Sequence, residues 1–211
     1  MITTKKHAVT ICHTLSNTSK MNCKSYGIPA VTACNVGGKL AKIPGSVCHG
    51  CYAAKGCYSW QSTKTAQQKR LDAIDNPLWS LAMIAMIGND KWFRWHDSGD
   101  LQSYKHLQKI VLIAKTLPGC QFWLPTKEHA LIKKYIRDNG AFPENLAVRV
   151  SGSMVDGKPP KVSAGIGTST VYTDQNKNGF TCKAPTQNGE CRQCRACWDV
   201  KKFANVAYHK H

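Results

Sequence analysis

The segment GECRQCRACWD, residues 189–199, carries three cysteines that are separated by two residues each: Cys191, Cys194 and Cys197. A two-residue spacer lets neighbouring thiolates converge on one metal centre, and a single C-x2-C-x2-C loop wraps the [4Fe–4S] clusters of bacterial ferredoxins. Two such thiolates are also half of a tetrahedral zinc site. Cys182, nine residues before Cys191, is a candidate fourth ligand. The segment therefore predicts a thiolate-bound centre, with a [4Fe–4S] cluster favoured and zinc as the alternative.

A second group of cysteines lies far upstream in VCHGCYAAKGC, residues 47–57, where Cys48 and Cys51 repeat the two-residue spacing. Paired with Cys194 and Cys197 they would form a four-thiolate set, but the gap far exceeds the ~15–20 residues of a zinc ribbon. Only tertiary structure can join the two ends, and the alternative for the upstream pair is two buried thiols. The candidate metal ligands are Cys48, Cys51, Cys182, Cys191, Cys194 and Cys197.

The eleven cysteines are an odd number, which argues against a framework of disulfides. Cys120, in PGCQFWLPT, fits a small core residue better than a ligand. The sequence shows no apolar stretch typical of a signal peptide near its start, and its longest apolar run, residues 78–88, is shorter than the ~20 residues that span a bilayer. We expect a soluble cytoplasmic protein with no membrane partner.

The charge of the chain is strongly positive: 29 Lys and Arg against 12 Asp and Glu give a formal net charge of +17. A field of this size predicts a polyanionic partner, most simply nucleic acid, with ordinary solubility as the alternative. The basic residues are scattered, so composition does not locate a binding surface. The 42% hydrophobic and 19% charged residues are typical of a globular domain, and 211 residues suffice for one domain.

The middle of the chain alternates between strand and helix patterns. Strands are predicted at residues 91–96, 120–126 and 145–152, with one or two more within 161–173; helices are predicted up to about residue 70 and at 77–88, 101–117 and 127–140. This order predicts an α/β fold with a parallel sheet, either open or curled into a partial barrel. We divide a single domain into an irregular segment (1–45) of loops and short strands with a small antiparallel piece, an α/β core (46–173) and a cysteine segment (174–211).

The predicted strands end in polar residues: HDSGD at 96–100, PTKEH at 125–129 and SGS at 151–153. Because active groups of parallel α/β folds lie at the carboxyl ends of the strands, we expect the site there. Asp100 is also placed to cap the following helix, and Thr126 and Gly140 to bound the next one.

Five motifs taken in order, CHGCYAAKGCY, FRWHDSGDLQS, FWLPTKEH, PENLAVRVSGS and CRQCRACWD, resemble a family of small phage-encoded proteins. That family is related to radical S-adenosylmethionine (SAM) enzymes, including the spore photoproduct lyase branch. The resemblance covers roughly residues 45 to 200 and implies a partial (β/α) barrel with a [4Fe–4S] cluster. In radical-SAM enzymes a C-x3-C-x2-C loop binds the cluster and one iron stays open to SAM. The early loop here departs from that pattern and reads C-x2-C-x5-C, from Cys48 to Cys57.

The resemblance also implies roles for polar residues after the strands. Ser98, Gly99 and Asp100 match the turn that binds the SAM amine, and the alternative for Asp100 is helix capping. His96 and Asp97 would handle protons or contribute a remote ligand, or serve as hydrogen-bonded structural residues. The remaining implied cofactor-binding residues line the same mouth or meet the SAM carboxylate or a phosphate: Thr126, Lys127, Arg149 and Ser151.

Three functions remain open from the sequence. The favoured one is an iron–sulfur protein of radical-SAM-like fold that uses SAM to modify nucleic acid or a nucleotide, with an electron donor as partner. The second is a non-catalytic nucleic-acid-binding or regulatory protein with a structural or redox [4Fe–4S] cluster. The third is a zinc-stabilised nucleic-acid-binding domain. A phage origin would place the protein in the host cytoplasm.

Overall fold

The computed structural model describes residues 4–210, which form an α/β fold. The helices are α1 (Lys5–Cys12), α2 (Asn35–Leu40), α3 (Gln61–Ala73), α4 (Trp79–Ile87), α5 (Tyr104–Thr116) and α6 (His129–Asn139). The strands are β1 (Ser16–Thr18), β2 (Cys23–Tyr26), β3 (Trp92–Trp95), β4 (Gln121–Thr126), β5 (Leu146–Val155), β6 (Gly167–Tyr172), β7 (Phe180–Thr181) and β8 (Asn205–His209). Short 3₁₀ turns lie at Tyr52–Ala54, Gly56–Ser59, Ala184–Gln187 and Ala196–Trp198.

All eight strands form one sheet in the order β1-β2-β3-β4-β5-β6-β8-β7. Only the β1–β2 pair is antiparallel; every later pair is parallel. Among residues 4–210 no pairing joins β1 to β7, so the hydrogen-bonded order is open. The predicted α/β class and its parallel sheet are confirmed.

The predicted strands and helices of the middle region all occur, with shifted starts. Helix α5 begins at Tyr104, where the Ser103 hydroxyl accepts a hydrogen bond from the His106 amide at 3.1 Å. Asp100 is therefore not its N-cap, because the chain needs three further residues to turn from β3 into the helix. Helix α6 has Glu128 at its N-cap position instead of Thr126, and Gly140 ends it with a φ of 80°.

The two outer segments contain more regular structure than their sequences indicate. The antiparallel β1–β2 pair confirms the small antiparallel piece expected in residues 1–45, whereas α1 and α2 in that segment, and β7 and β8 in residues 174–211, were not expected. Strands β7 and β8 are too short to show a hydrophobic period, since β7 has two residues and β8 has five. Hydrogen bonds to neighbouring strands of the sheet stabilise β7 and β8 in the extended conformation.

Side chains that alternate along β3 and β4 pack into two separate regions, one on each face of the sheet. Phe93 and Trp95 of β3 and Phe122 and Leu124 of β4 belong to the main core, which also contains residues of all helices from α4 to α6 and of α1. The intervening Trp123 points to the opposite face, where it packs with Met21 and Trp198. No helix within residues 4–210 has the length and apolarity needed to cross a bilayer.

Candidate functional site

Three cysteines from two separate segments gather beyond the ends of the parallel strands: Cys34, Cys48 and Cys51, here called the strand-end thiol group. Helix α2 starts directly after Cys34, and its Gly37 leaves space for the sulfur atoms. A methyl group built on Gly37 would lie 3.4 Å from the Cys48 Sγ and 3.8 Å from the Cys34 Sγ. Burial raises the pKa of Cys34 to about 12, with further increases from the charges of Asp100, Cys51 and Cys48.

Backbone hydrogen bonds fix the loop that carries Cys48 and Cys51. The Cys51 amide donates to the Cys48 carbonyl at 3.2 Å, which forms the tight turn that the two-residue spacing predicts. The Val47 amide donates to the Ser153 carbonyl at 2.9 Å and ties the loop to β5. Near Cys34, the Val36 amide donates to Glu128 Oε1 at 2.9 Å, so the start of α2 is anchored to the residues that follow β4.

Asp100 connects the ends of β3 and β4 beside these thiols. Its carboxylate accepts hydrogen bonds from the Thr126 hydroxyl at 2.6 Å, the Lys127 amide at 2.8 Å and the Leu101 amide at 2.7 Å. Burial raises the pKa of Asp100 to about 6, although these hydrogen bonds act in the opposite direction. The Asp100 carboxylate is thus held in place by both strands.

Lys127 supplies a positive charge to the same site. Its Nζ donates to the Gly152 carbonyl at 2.8 Å. Burial lowers the pKa of Lys127, while the charges of the strand-end thiols and of Asp100 raise it. An ammonium group in this position stabilises thiolates or an anionic ligand at the carboxyl edge of the sheet.

The Ser98–Gly99 turn is packed tightly against the chain that follows β2. The Ser98 hydroxyl donates to the Ile28 carbonyl and accepts from Gln67 Nε2, both at 2.8 Å. Gly99 has a φ of 76°, and a methyl group there would lie 2.9 Å from the Ile28 oxygen. The turn therefore requires glycine, and the Ser98 side chain is used in holding it.

His96 and Asp97, which precede this turn, are buried. Asp97 Oδ1 accepts from the Ser25 hydroxyl at 2.8 Å, and its backbone carbonyl accepts from the Tyr52 hydroxyl at 2.8 Å. Asp97 Oδ2 accepts from the Tyr58 hydroxyl at 3.3 Å, so residues 52–58 are tied to the strand end. Neither ring nitrogen of His96 has a hydrogen-bond partner among residues 4–210, and burial lowers its pKa to about 3.

Arg149 and Ser151, the other implied cofactor-binding residues, lie further along the sheet. The Ser151 hydroxyl accepts from the Ser169 hydroxyl at 3.0 Å. The Arg149 guanidinium donates to six backbone carbonyls at 2.7–3.2 Å, those of Thr168, Ala196, Cys197, Asp199, Phe203 and Ala204. Arg149 thus holds the cysteine segment that follows β7.

Four cysteines of that segment form a second neighbourhood, here called the C-terminal thiol group: Cys182, Cys191, Cys194 and Cys197. The Cys197 Sγ lies 3.1 Å from the Tyr208 hydroxyl oxygen. Cys191 and Cys197 pack against the cluster of Met21, Trp123 and Trp198. Burial raises the pKa of Cys197 to about 12, and the charges of Cys182 and Cys191 add to that rise.

The structure divides the six predicted ligands between two groups, with Cys48 and Cys51 beside Cys34 and the other four in the C-terminal thiol group. The C-terminal thiol group packs near Cys23 and Trp92, the first residues of β2 and β3, whereas the strand-end thiol group neighbours Asp100. Cys48 and Cys51 therefore join Cys34, a residue that its sequence spacing does not indicate.

The strand-end thiol group offers three sulfur donors, the ligand type of both zinc sites and iron–sulfur clusters. Among residues 4–210, no three His, Cys, Asp or Glu side chains are arranged to hold one metal ion. A tetrahedral zinc site draws its thiolates to about 2.3 Å from one atom. A cubane is larger and takes its thiolates from further apart, and the space above Gly37 lies between two of the three sulfurs.

Comparison with known protein families matches almost the whole chain to one family. The family model described as Gene product 88 matches residues 2–200, almost the whole chain. The chain belongs to the Gene product 88 family. This membership supports the expected phage origin, and the range matched by the Gene product 88 model runs from before Cys34 to beyond Cys197. No curated protein and no solved structure matches the chain.

Proposed function

We propose that this protein is an iron–sulfur enzyme whose strand-end thiol group holds a [4Fe–4S] cluster by three thiolates, leaving one iron open to SAM. Its substrate is a nucleic acid or a nucleotide, and its sheet forms a partial barrel around the site. The observation that carries the proposal is the gathering of Cys34, Cys48 and Cys51 beside Lys127 and Asp100. Ligands of parallel α/β sheets bind at this edge.

The number of thiolates supports an open coordination position. A cubane has four irons, and the strand-end thiol group offers three sulfurs from the two segments that meet at Gly37. When bound and reduced by an electron donor, such a cluster supplies the electron that cleaves SAM to a 5′-deoxyadenosyl radical. Lys127 offsets the negative charge of the thiolates within the same site.

The chain's own polar groups suit the amine of SAM. Asp100 has a carboxylate that two strands hold in position, and its three hydrogen bonds leave acceptor capacity for an ammonium group. Thr126 orients that carboxylate through the 2.6 Å hydrogen bond.

Residues 52–60 support a nucleic-acid substrate. Tyr52 and Tyr58 link this segment to Asp97 at the strand end, so the segment lies at the mouth of the site. Trp60, with 63% exposure, presents a face on which a base can stack, and Lys55 and Lys64 add positive charge nearby in sequence. The net charge of +17 favours binding of a polyanion.

The first experiment compares cysteine variants after anaerobic purification. The wild-type protein should be brown, and Cys34→Ala or Cys48→Ala should each remove about four iron and four sulfide per chain. Cys57→Ala is the matched control, because Cys57 is an exposed thiol of the same loop. Gly37→Val should also lower iron content, since its side chain would occupy the space beside Cys34 and Cys48. Full iron in Cys34→Ala would contradict the proposed ligand set.

The second experiment tests SAM chemistry directly. Wild-type protein with SAM and dithionite should release 5′-deoxyadenosine, measured by mass spectrometry, and Cys48→Ala should release none. The Asp100→Asn variant should bind SAM more weakly while it retains its iron, because its side chain has lost the negative charge. A cluster that neither responds spectrally to SAM nor yields 5′-deoxyadenosine would rule out the enzymatic proposal.

A second candidate function is favoured by the charge of the chain. A non-catalytic nucleic-acid-binding or regulatory protein would bind oligonucleotides and contain a structural or redox cluster, without any effect of SAM. A colourless protein that contains zinc and no iron would instead identify a zinc-stabilised nucleic-acid-binding domain.

A further inference from the structure

We infer that Arg94 and Trp123, on the sheet face opposite the main core, form a subsite that binds a phosphate group of the nucleotide or nucleic-acid substrate. The class of substrate is taken from the proposed function, on which this inference rests, whereas phosphate binding itself requires neither the cluster nor SAM. The observation that carries it is a stacked pair of side chains whose buried N–H donors have no acceptor among residues 4–210.

Strand register places the two side chains on one face of the sheet. Arg94 of β3 and Trp123 of β4 are direct neighbours in the parallel β3–β4 pair, and paired residues of adjacent strands point to the same side. Trp123 packs with Met21 and Trp198, away from the main core. The Arg94 guanidinium carbon lies 4.7 Å from the centroid of the Trp123 ring, so the cation stacks on the indole.

Most of the hydrogen-bonding capacity of Arg94 is unused. Among residues 4–210 its guanidinium makes one hydrogen bond, from Nη2 to the Tyr52 hydroxyl at 3.3 Å. The Nε atom is buried and has no acceptor in that part of the chain. Since a guanidinium presents a rigid fork of N–H donors and no acceptor, a ligand with several oxygen atoms matches it.

The positive charge of Arg94 also lacks a direct counter-charge. Within the described residues it forms no salt bridge. The charge of Asp97 acts on Arg94, but both Asp97 carboxylate oxygens accept hydrogen bonds from hydroxyl groups. Burial raises the pKa of the nearby Cys23 and Cys191 thiols, so these thiols stay neutral. An anion bound at Arg94 would therefore meet an uncompensated cation.

Arg149 shows the difference between this arginine and a structural one. On the neighbouring part of the same sheet, the Arg149 guanidinium donates to six backbone carbonyls. Arg94 has a single hydroxyl in place of that set. Because buried polar groups are normally paired, the open donors of Arg94 are best explained by a ligand, and arginine binds phosphate through two parallel hydrogen bonds.

Trp123 supplies a neutral donor to the same subsite. Its side chain is buried, with 4% exposure, and its Nε1 has no acceptor in the part of the chain that the structure describes. A buried tryptophan N–H usually finds a partner. Trp95 Nε1 is unpaired as well, but Trp95 lies in the main core and no arginine stacks on its ring among residues 4–210. Trp123 thus combines an open donor with an adjacent guanidinium.

The surroundings favour a phosphate carried by a nucleotide over free phosphate. Tyr52, which accepts the hydrogen bond from Arg94, is 48% exposed and donates to the Asp97 carbonyl at 2.8 Å. Tyr58 lies edge-on to it, with ring centroids 6.0 Å apart. Aromatic rings bind bases by stacking, so a cation and an aromatic pair at one strand end suit the phosphate and the base of a nucleotide.

The test measures binding of inorganic phosphate and of each ribonucleoside 5′-monophosphate to the full-length protein by isothermal titration calorimetry. Arg94→Gln should weaken binding of the tightest monophosphate by about tenfold or more, because the charge and the donor fork are lost. Trp123→Phe, which keeps a ring and removes the N–H, should weaken it by about tenfold. Trp95→Phe is the matched control and should keep wild-type affinity. Wild-type affinity in Arg94→Gln would overturn the inference.

Comparison of the ligands distinguishes a nucleotide from free phosphate. The tightest monophosphate should bind more tightly than inorganic phosphate and more tightly than its own nucleoside. Inorganic phosphate that binds as tightly as every monophosphate would overturn the assignment to a nucleotide. A nucleoside that binds as tightly as its monophosphate would overturn the phosphate subsite.

The same variants separate this subsite from the proposed SAM chemistry. If wild-type protein binds the monophosphate but forms no 5′-deoxyadenosine, the enzymatic proposal fails and the subsite stands. If 5′-deoxyadenosine forms while Arg94→Gln binds the monophosphate like wild type, the subsite alone fails. Should Arg94→Gln not fold, Trp123→Phe measured against Trp95→Phe decides the question, and equal affinities in these two variants would contradict the role of the Trp123 donor.

Discussion

Arg149 lies inside the protein, where its guanidinium meets six backbone carbonyl oxygens. The family resemblance implied that it contacts the SAM carboxylate or a phosphate. A sequence reveals the charge of a side chain but not which acceptors surround it, and the residues around Arg149 come from far along the chain. The hydrogen-bond acceptors around an arginine side chain show whether its guanidinium holds the fold together or is available to bind a ligand.

Replacing Arg149 tests this structural role. Arg149→Ala should lower the free energy of unfolding by about 3–5 kcal/mol, because it leaves several buried carbonyls without donors. Arg149→Lys should also destabilise, since an ammonium group cannot reproduce the guanidinium fork. Urea unfolding of the purified variants measures both effects. Arg137→Ala, at a side chain with 72% exposure, should stay within about 0.5 kcal/mol of wild type; similar losses at the two positions would contradict the assignment.

His96 makes stability depend on pH. Burial lowers its pKa from 6.5 to about 3, so the folded protein binds fewer protons than the unfolded chain between these values. Stability should therefore decrease as pH falls below 6.5, with a contribution from this group of up to about 1.4 kcal/mol per pH unit. His96→Asn tolerates the residue's φ of 51° and should flatten the acid side of the urea-unfolding profile. The exposed His7, changed to Asn, is the control, and equal slopes in the two variants would refute the role of His96.

Secondary-structure elements were predictable from the sequence wherever a segment was long enough to show a regular repeat of apolar residues. The middle strands and helices α4 to α6 follow their sequence patterns, because each buries apolar residues in the main core, whereas α3 buries the polar Gln67 and Arg70. Helix α2, NVGGKL, has two glycines and no such stripe, so its role in placing Cys34 was not apparent. The start of α5 was displaced by three residues because Asp100 and Ser103 are both good capping residues.

The cap of α5 can be checked by single substitutions. Ser103→Ala should lower the free energy of unfolding by about 1 kcal/mol, because the His106 amide loses its acceptor. Gln108→Ala, at an exposed position of the same helix, is the control and should have little effect, since both residues are good helix formers. Thermal and urea unfolding give the measurement, and a loss for Gln108→Ala as large as that for Ser103→Ala would contradict the cap assignment.

The candidate site as a whole could be predicted only in part. The carboxyl edge of the parallel strands and the tight Cys48–Cys51 turn follow from the sequence pattern. The division into two thiol groups does not, because it depends on where tertiary packing places each cysteine segment. Cys34 is 14 positions before Cys48, and only the packing of α2 beside the Cys48 loop makes them neighbours.

The net positive charge of the whole molecule predicts that its affinity for nucleic acid depends on salt concentration. Affinity for a single-stranded oligonucleotide should fall steeply as salt rises, and Lys55→Ala should reduce the slope of log affinity against log salt by about 0.7. Trp60→Ala should weaken binding by about 1–3 kcal/mol with an unchanged slope, because it removes a stacking surface and no charge. Fluorescence anisotropy measures both. Leu112→Ala, at an exposed apolar residue of α5, is the control, and wild-type affinity in Trp60→Ala would rule out stacking.

The insertion of β8 between β6 and β7 has a consequence for biosynthesis. Both neighbours precede β8 in the chain, and β7 pairs with no other strand among residues 4–210. As the polypeptide leaves the ribosome, β6 presents a bare edge and β7 remains unpaired until residues 205–209 have emerged. Strand β8 can pair with β6 and β7 only after residues 205–209 have been translated, so the last stage of folding follows translation of β8. Contacts between segments this far apart in the chain also form slowly. A nascent chain stalled before residue 205 would expose a strand edge prone to aggregation.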